Sequence, residues 1–126
     1  MEPRELYELA HYTAYEAATG HTPTPMLVGT AKDIFSDEID RSQPCYVVNE
    51  GLCGFGWVNI KPANSKFCKY LLENEIARKD SYYGGVSIWV HQFNQSYERK
   101  KKYAEEFAKV LKENGIKKVQ AGSRLD

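Results

Sequence analysis

The chain has 126 residues, 42% hydrophobic and 27% charged, which is enough for one globular domain with its own core. Its 17 basic and 17 acidic residues cancel, so the overall charge does not favour binding to nucleic acid or to an anionic membrane surface. No apolar run approaches the roughly 20 residues of a membrane span, and three cysteines without Cys-x-x-Cys spacing indicate a reducing, cytoplasmic location.

The N-terminal third is predicted to be one helix followed by a linker. Pro3 suits a first helical turn, and small apolar residues recur at helical spacing, which gives a helix over 3–19. Residues 20–44 are polar and rich in turn residues, as is typical of a linker. They are predicted to lead into an α+β core over 45–126, with the whole chain forming a single domain.

The core begins with two predicted strands, 45–48 and 52–60, joined as a hairpin by the turn sequence Asn49-Glu50-Gly51. Alternation along the second strand separates aliphatic residues from aromatic ones. Gly54 and Gly56 fall on the aliphatic side, where the missing side chains would let a helix approach closely. The second strand is therefore predicted to have one face covered by helices and an opposite, aromatic face.

Two further helices are predicted on either side of a strand at 86–90. The first runs over about 64–77 behind a polar cap, and the second covers 97–114 and ends at Gly115. A last strand follows at 118–122. The predicted fold is α+β, with an N-terminal helix followed by ββαβαβ, in which an antiparallel or mixed sheet carries two helices packed on one face.

The aromatic face is the first candidate binding surface. If the strands at 52–60 and 86–90 are neighbours, its side chains are those of Phe55, Trp57, Asn59, Ser87, Trp89 and His91. Aromatic rings beside polar groups suit the stacking of nucleotide bases, since every base has a π-face. Coverage by the N-terminal helix is the interpretation favoured first, a homodimer interface the second and a ligand platform the third.

The start of the 97–114 helix is the second candidate. Asn94 and Ser96 are strong helix caps and Arg99 follows in the first turn, so a phosphate or carboxylate could bind the free N–H groups there. No glycine-rich loop precedes this helix, which favours the alternative of an ordinary cap on a solvated basic helix.

Two single residues complete the candidate site. Tyr83 precedes two glycines that permit close backbone approach to a ligand or to another strand, although a tight turn into the next strand is the simpler explanation. Arg124 is predicted to hold a phosphate, or to pair with an acidic residue within 33–40 or with Asp126.

The sequence contains no clear catalytic or metal-binding signature. Its three histidines and three cysteines have no paired metal-ligand spacing, so no metal and no cofactor is predicted. Cys45 or Cys53 shares a predicted strand face with His91, but no third residue that would orient such a pair is evident. A binding protein is therefore favoured over an enzyme, and a small hydrolase is kept as a second alternative.

Several C-terminal segments keep a characteristic spacing: Gly54-Phe55-Gly56-Trp57-Val58, Tyr83-Gly84-Gly85-Val86-Ser87-Ile88-Trp89-Val90, Asn94-Gln95-Ser96, Arg99-Lys100 and Ser123-Arg124-Leu125-Asp126. Together they resemble a family of small bacteriophage and prophage proteins. The family has no established activity, so the resemblance implies no catalytic residues. It implies a phage-encoded, cytoplasmic accessory protein, a class that often acts by binding, including antagonism of host defences.

The leading hypothesis is a non-enzymatic, phage-type binding protein that sequesters a nucleotide-like ligand or blocks a host protein, for example in counter-defence. We expect it to form a homo-oligomer and not to bind a membrane. The predicted ligand-binding residues are Trp57 and Trp89 for the base, Ser96, Arg99 and Arg124 for phosphate, and Tyr83 and Asn94 beside them. A nucleic-acid-binding module that uses the lysines of the last helix and strand is the alternative.

Overall fold

The structure, a computed structural model, describes residues 1–23, 26–28, 46–48, 52–93 and 96–126. These residues form three helices and six strands, in the order α1 (Pro3–Gly20), β1 (Met26–Val28), β2 (Tyr46–Val48), β3 (Gly54–Ile60), α2 (Lys66–Glu73), β4 (Arg78–Lys79), β5 (Val86–Trp89), α3 (Tyr97–Glu113) and β6 (Val119–Leu125). The predicted α+β class and the N-terminal helix are confirmed. Of the described helices, none is long and apolar enough to cross a membrane.

A four-stranded antiparallel sheet forms the centre of the fold. Its strand order is β4-β5-β3-β6, with α2 between β3 and β4 and α3 between β5 and β6. This β-α-β-β-α-β order is the split β-α-β, or ferredoxin-like, arrangement. It confirms the antiparallel form of the predicted sheet and adds β4, a pair of exposed charged residues that no sequence pattern predicts as a strand.

Both helices of this unit pack on the aliphatic face of the sheet, as predicted. The Cys68 thiol of α2 donates to the Ile60 carbonyl of β3 at 3.7 Å, and α3 packs directly on β3 and β6. Val58, Ile60 and Val86 are almost completely buried in the resulting core. Burial of this apolar surface is the main stabilising contribution to the fold.

Two glycines of β3 allow α3 to come close to the sheet, which confirms the role predicted for them. A Cβ atom at Gly56 would lie 2.8 Å from the carbonyl oxygen of Lys100, and one at Gly54 would lie 2.6 Å from Cδ2 of Tyr97. Real Cβ atoms do not approach other atoms this closely. At these two positions the helix therefore rests on the backbone of β3.

The predicted hairpin between 45–48 and 52–60 is wrong. β2 pairs instead with β1 in a separate two-stranded antiparallel sheet. β3 begins at Gly54, and its two edges are taken by β5 and β6, which match four and seven of its residues. These longer ladders bury more backbone hydrogen bonds than the three-residue β2 could offer. The predicted turn at 49–51 lies outside the described residues.

Two element ends lie three or more residues from their predicted positions. α2 ends at Glu73, earlier than predicted, because the chain turns at Glu75, which has the left-handed φ of 56°. β6 extends to Leu125, because it pairs along the whole of β3, with Gly54 opposite Leu125. Arg124 is therefore held inside a strand.

α1 packs on α3, on the helical side of the sheet. Its buried row of small residues, Ala10, Ala14 and Ala18, allows close contact between the two helices. His11 Nδ1 lies 2.6 Å from the hydroxyl of Tyr103, a buried residue of α3. The expectation that the N-terminal helix covers the aromatic face is therefore wrong, since a row of alanines fits another helix more closely than it fits large rings.

Candidate ligand-binding face

The aromatic face of the sheet is formed by alternate residues of its strands. The antiparallel registers place Trp57 between Trp89 and Gly122, and Phe55 opposite Arg124. Residues that lie directly opposite one another in a ladder point to the same face. We define the aromatic face by Phe55, Trp57, Asn59, Arg78, Ser87, Trp89, Gln120, Gly122 and Arg124.

The two tryptophans lie side by side at the centre of this face. Their ring centroids are 5.1 Å apart and their planes are inclined by 41°. The Trp57 indole lies across β6 at Gly122, where a side chain would collide with it. Trp89 is 44% exposed, which is unusual for so large an apolar side chain. The pair therefore offers indole surface to a planar ligand.

Two cations approach the Phe55 ring next to this pair. The Arg124 guanidinium carbon lies 5.2 Å from the ring centroid and the Lys100 ammonium 5.9 Å from it. Both distances allow a cation–π interaction. The structure thus places Arg124 on the same face as the tryptophans, as the predicted site requires.

Lys100 reaches this face from α3 by filling a gap in the sheet. β5 ends just before Val90, whose N–H still donates to the Gly56 carbonyl at 2.9 Å. The next carbonyl on that edge of β3, that of Gly54, accepts from the Lys100 ammonium at 3.4 Å. Lys100 is 7% exposed, so a charged side chain takes the place of a strand N–H inside the structure. From the sequence it is expected among the lysines of a solvated helix, and that expectation is wrong.

The loop that carries Tyr83 is organised by Asp80. One carboxylate oxygen accepts the N–H groups of Tyr82 and Tyr83, both at 2.8 Å, and the other accepts the Ser87 hydroxyl at 2.7 Å. The hydrogen bond from the Tyr83 N–H, followed by that from the Ser87 hydroxyl, lowers the pKa of the Asp80 carboxyl below its ordinary value. Asp80 is not among the site residues predicted from the sequence.

Asn59 ties the same loop to the central strand. Its side-chain amide donates to the Ser87 hydroxyl at 3.0 Å and to the Gly84 carbonyl at 2.9 Å. Asn59 and Ser87 are 8% and 3% exposed, because the loop lies over them. Buried polar groups that are hydrogen-bonded in this way fix the position of a loop. Tyr83 is thereby held at one end of the aromatic face.

Two cavities lie on this face, and a third adjoins it at one end and extends to α3. The central cavity, of about 210 Å³, is lined by Trp57, Tyr83, Asn59, Lys61, Gln120, Ala121 and Gly122. The lysine cavity, of about 360 Å³, shares Asn59, Lys61 and Gln120 with it and adds Lys112, Lys117, Lys118 and Val119. The outer cavity, of about 300 Å³, lies on the β4 side and is lined by Glu75, Ile76, Arg78, Ser87, Trp89 and His91.

The lysine cavity is strongly basic although the whole chain is neutral. Four lysines line it, and of the described residues that line it none is acidic. The Asp80 carboxylate interacts with Lys61, and Glu105 and Glu113 line an adjoining cavity together with Lys112. A cavity lined by four ammonium groups and by no carboxylate attracts anions, so it is suited to phosphate.

The start of α3 is occupied by protein groups. Ser96 is 1% exposed and its hydroxyl accepts the Arg99 N–H at 3.4 Å, which confirms it as the helix cap. The Tyr97 N–H donates to the Leu52 carbonyl at 2.9 Å, and the Arg99 side chain donates to the His21 carbonyl at 3.4 Å. An anion site here stays a prediction, and Ser96 and Arg99 line none of the three cavities. Asn94 lies outside the described residues.

The structure thus brings together four of the seven predicted site residues: Trp57, Tyr83, Trp89 and Arg124. Within the described ranges, no group of three or more His, Cys, Asp or Glu side chains could hold a metal ion. Comparisons of the chain with protein-family models, with curated proteins and with solved structures find no match. The ferredoxin-like arrangement by itself does not imply a function.

Proposed function

We propose that this protein binds a nucleotide-like ligand on the aromatic face and does not transform it chemically. The observation that supports this most strongly is that Trp57 and Tyr83 line one cavity whose wall continues into the lysine cavity. A base stacked on the Trp57 indole would have its phosphate beside the ammonium groups, so one ligand would use both stacking and charge.

The proposed phosphate contacts differ from those expected from the sequence. Lys61, Lys117 and Lys118 line a cavity that adjoins Trp57, whereas Ser96 and Arg99 lie at the junction of α3 with the end of α1. We therefore assign the phosphate to the lysine cavity. Arg124 is a further candidate at the other end of the face.

Native mass spectrometry of the protein purified from bacterial lysate tests this proposal. We expect an extra mass that equals a nucleotide or a phosphate-containing fragment and that is lost in Trp57→Ala. Tyr12→Ala, which removes an exposed ring from α1, serves as the control and should keep the ligand. A ligand-free protein whose tryptophan fluorescence is unchanged by every nucleotide in a panel would contradict the proposal.

Blocking of a host protein is the second candidate. Exposed aromatic side chains such as Trp89 are enriched in protein interfaces as well as in ligand sites. With the resemblance to phage proteins, this supports a proposed role as a phage accessory protein that acts in the host cytoplasm against a defence system. The same spectra report how many chains associate, and a single chain at all concentrations would contradict the proposed homo-oligomer.

A further inference from the structure

We infer that the ligand of the aromatic face is a single-stranded nucleic acid of several nucleotides that crosses all three cavities, and not a free mononucleotide. The inference rests on the proposed function, because it specifies which nucleotide-like ligand uses the same face. The net charge of the whole chain is zero, but the lysines that would contact the phosphates of such a ligand are concentrated at one end of that face.

The sizes of the cavities favour an extended ligand over an enclosed one. Sites that enclose a small molecule usually measure about 300–1,000 Å³ and bury most of the ligand. The central cavity, which Trp57 and Tyr83 both line, measures about 210 Å³, so it can hold a base but leaves the sugar and phosphate to the lysine cavity and to solvent. A row of shallow cavities on a sheet instead suits a chain that leaves its backbone in solvent.

The positions of the cavities relative to the two indoles favour a ligand with more than one base. The central cavity contains Trp57, and the outer cavity, on the other side of the tryptophan pair, contains Trp89. Each indole can therefore stack a different base, since the two rings lie beside each other at 5.1 Å rather than enclosing one slot. Two stacked bases require at least two linked nucleotides.

The distance across the face also favours several linked nucleotides. Arg78 on β4 and Gln120 on β6 lie at opposite ends of one row across four strands, which is three strand spacings or roughly 14 Å. Successive phosphates are about 3.4 Å apart along the axis where bases stack on one another, and farther apart where bases separate to stack on protein rings. At most about four nucleotides are therefore needed to reach from the outer cavity to the lysine cavity.

The strand must be single, because the bases of a duplex stack on one another and do not expose their faces to the indoles. Charge complementarity supports the same ligand. Lys61, Lys112, Lys117 and Lys118 provide ammonium groups where the backbone phosphates would leave the central cavity. The contacts involve ring faces and phosphates, so we expect little preference for base sequence.

Binding of oligo(dT) and oligo(U) of one, two, four and eight nucleotides tests the inference. Quenching of tryptophan fluorescence gives the Kd for each length, and a DNA duplex of eight base pairs is measured beside them. We expect the Kd to fall with length up to about four nucleotides and the duplex to bind more weakly. Comparison of the Kd values for oligo(dT) and oligo(U) shows whether the protein prefers single-stranded DNA or RNA.

Variants assign the contacts. Trp57→Ala and Trp89→Ala should each weaken tetranucleotide binding about tenfold, the lower range expected for one stacked base. Trp57→Phe keeps a ring and should bind better than Trp57→Ala, which separates the loss of stacking from a failure to fold. Circular dichroism of each variant confirms that it is folded.

A matched pair of double variants tests the lysine cavity. The logarithm of the affinity falls linearly with the logarithm of the salt concentration. In Lys117→Ala with Lys118→Ala the slope of this line should become less negative by about 0.7 for each phosphate that the protein no longer neutralises. Lys101→Ala with Lys102→Ala removes the same charge from adjacent lysines of α3 that pair with Glu105 and Glu106, and should leave affinity and slope unchanged.

The outcomes separate the inference from the proposed function. A mononucleotide that binds as tightly as the tetranucleotide, through Trp57, would overturn the inference and leave the proposed function standing. Equal or tighter binding of the duplex, or loss of binding only in the Lys101 and Lys102 variant, would also overturn the inference. No tryptophan-dependent binding of any nucleotide would overturn both.

Discussion

The Trp57 indole rests against the backbone at Gly122 so closely that any side chain at residue 122 would collide with the ring. Trp57 comes from the central strand β3 and Gly122 from its neighbour β6, directly opposite in the ladder. The position of the indole across β6 therefore depends on a residue that contributes no side chain to the face.

Gly122→Ala should displace the Trp57 ring and weaken nucleotide binding about tenfold, equivalent to the loss of one stacked base. The free energy of unfolding should fall by only about 1 kcal/mol, because the half-buried indole can swing outward. Fluorescence titration measures the first effect and urea denaturation the second. Gly20→Ala, at the end of α1 with no atom within 4 Å of the added methyl group, is the control and should bind normally.

Gly56→Ala should lower the free energy of unfolding by about 2 kcal/mol, because the new methyl group would meet the backbone of α3 at Lys100 rather than a movable side chain. Urea denaturation of the two proteins measures the difference. Gly20→Ala again serves as the control, with a change within about 1 kcal/mol. A Gly56→Ala protein as stable as the parent would show that α3 can shift away from the sheet without loss of packing.

The burial of His11 against α3 should make stability depend on pH near neutrality. Burial also raises the pKa of the Tyr103 hydroxyl, which therefore keeps its proton and lies 2.6 Å from His11 Nδ1. Burial lowers the pKa of His11 below its ordinary value of 6.5, and the surrounding rings are those of Tyr7, Tyr12 and Tyr15. Since the unfolded chain binds this proton more readily, stability is complete above pH 6.5 and declines as the pH falls towards the lower folded pKa.

Urea denaturation between pH 8 and pH 5 checks this expectation. His11→Gln should flatten the decline, whereas His91→Gln, which changes an exposed histidine on the other side of the sheet, should retain it. An unchanged decline in His11→Gln would assign the pH dependence to another group.

Asp80→Asn should lower the urea midpoint at pH 7 and increase the mobility of the loop around Tyr83. The depressed pKa of Asp80 means that its stabilising effect is present above the unfolded value of 3.8 and is lost as the pH falls through the lower folded pKa. The parent and the variant should therefore differ at pH 7 and converge in strong acid. Asp126→Asn is the matched control at an exposed carboxylate, and an equal effect there would contradict a specific role for Asp80.

The parts of the fold that could be predicted from the sequence depend on signals within a few residues. Ser96 and Gly115 bound α3 as a cap and a left-handed stop, and alternation assigns Trp57 and Trp89 to one face. Lys100 could also have been placed correctly. It lies three and four residues before Tyr103 and Ala104 and so continues the buried row of the helix.

The remaining features depend on choices between distant partners, which local patterns do not determine. β2 and β6 are both suitable neighbours of β3, and only the length of the paired ladder favours β6. The alanine row of α1 could face a sheet or a helix, and close contact with α3 decides it. The lysine cavity likewise combines β3, α3 and β6, so no single segment of the sequence indicates it. The contacts of Asp80, in contrast, are local and could have been predicted from the sequence. An Asp at the start of a turn commonly accepts N–H groups a few residues later, here those of Tyr82 and Tyr83.

The two edges of the sheet differ in what they offer to an additional strand. β4 is two residues long and both are charged, and short, charged edge strands resist pairing with another chain. β6 is seven residues long and, among the described strands, pairs only with β3. A peptide or a second copy that extends the sheet by main-chain hydrogen bonds would therefore join at β6. Such growth would widen the aromatic face beside Arg124 instead of covering it.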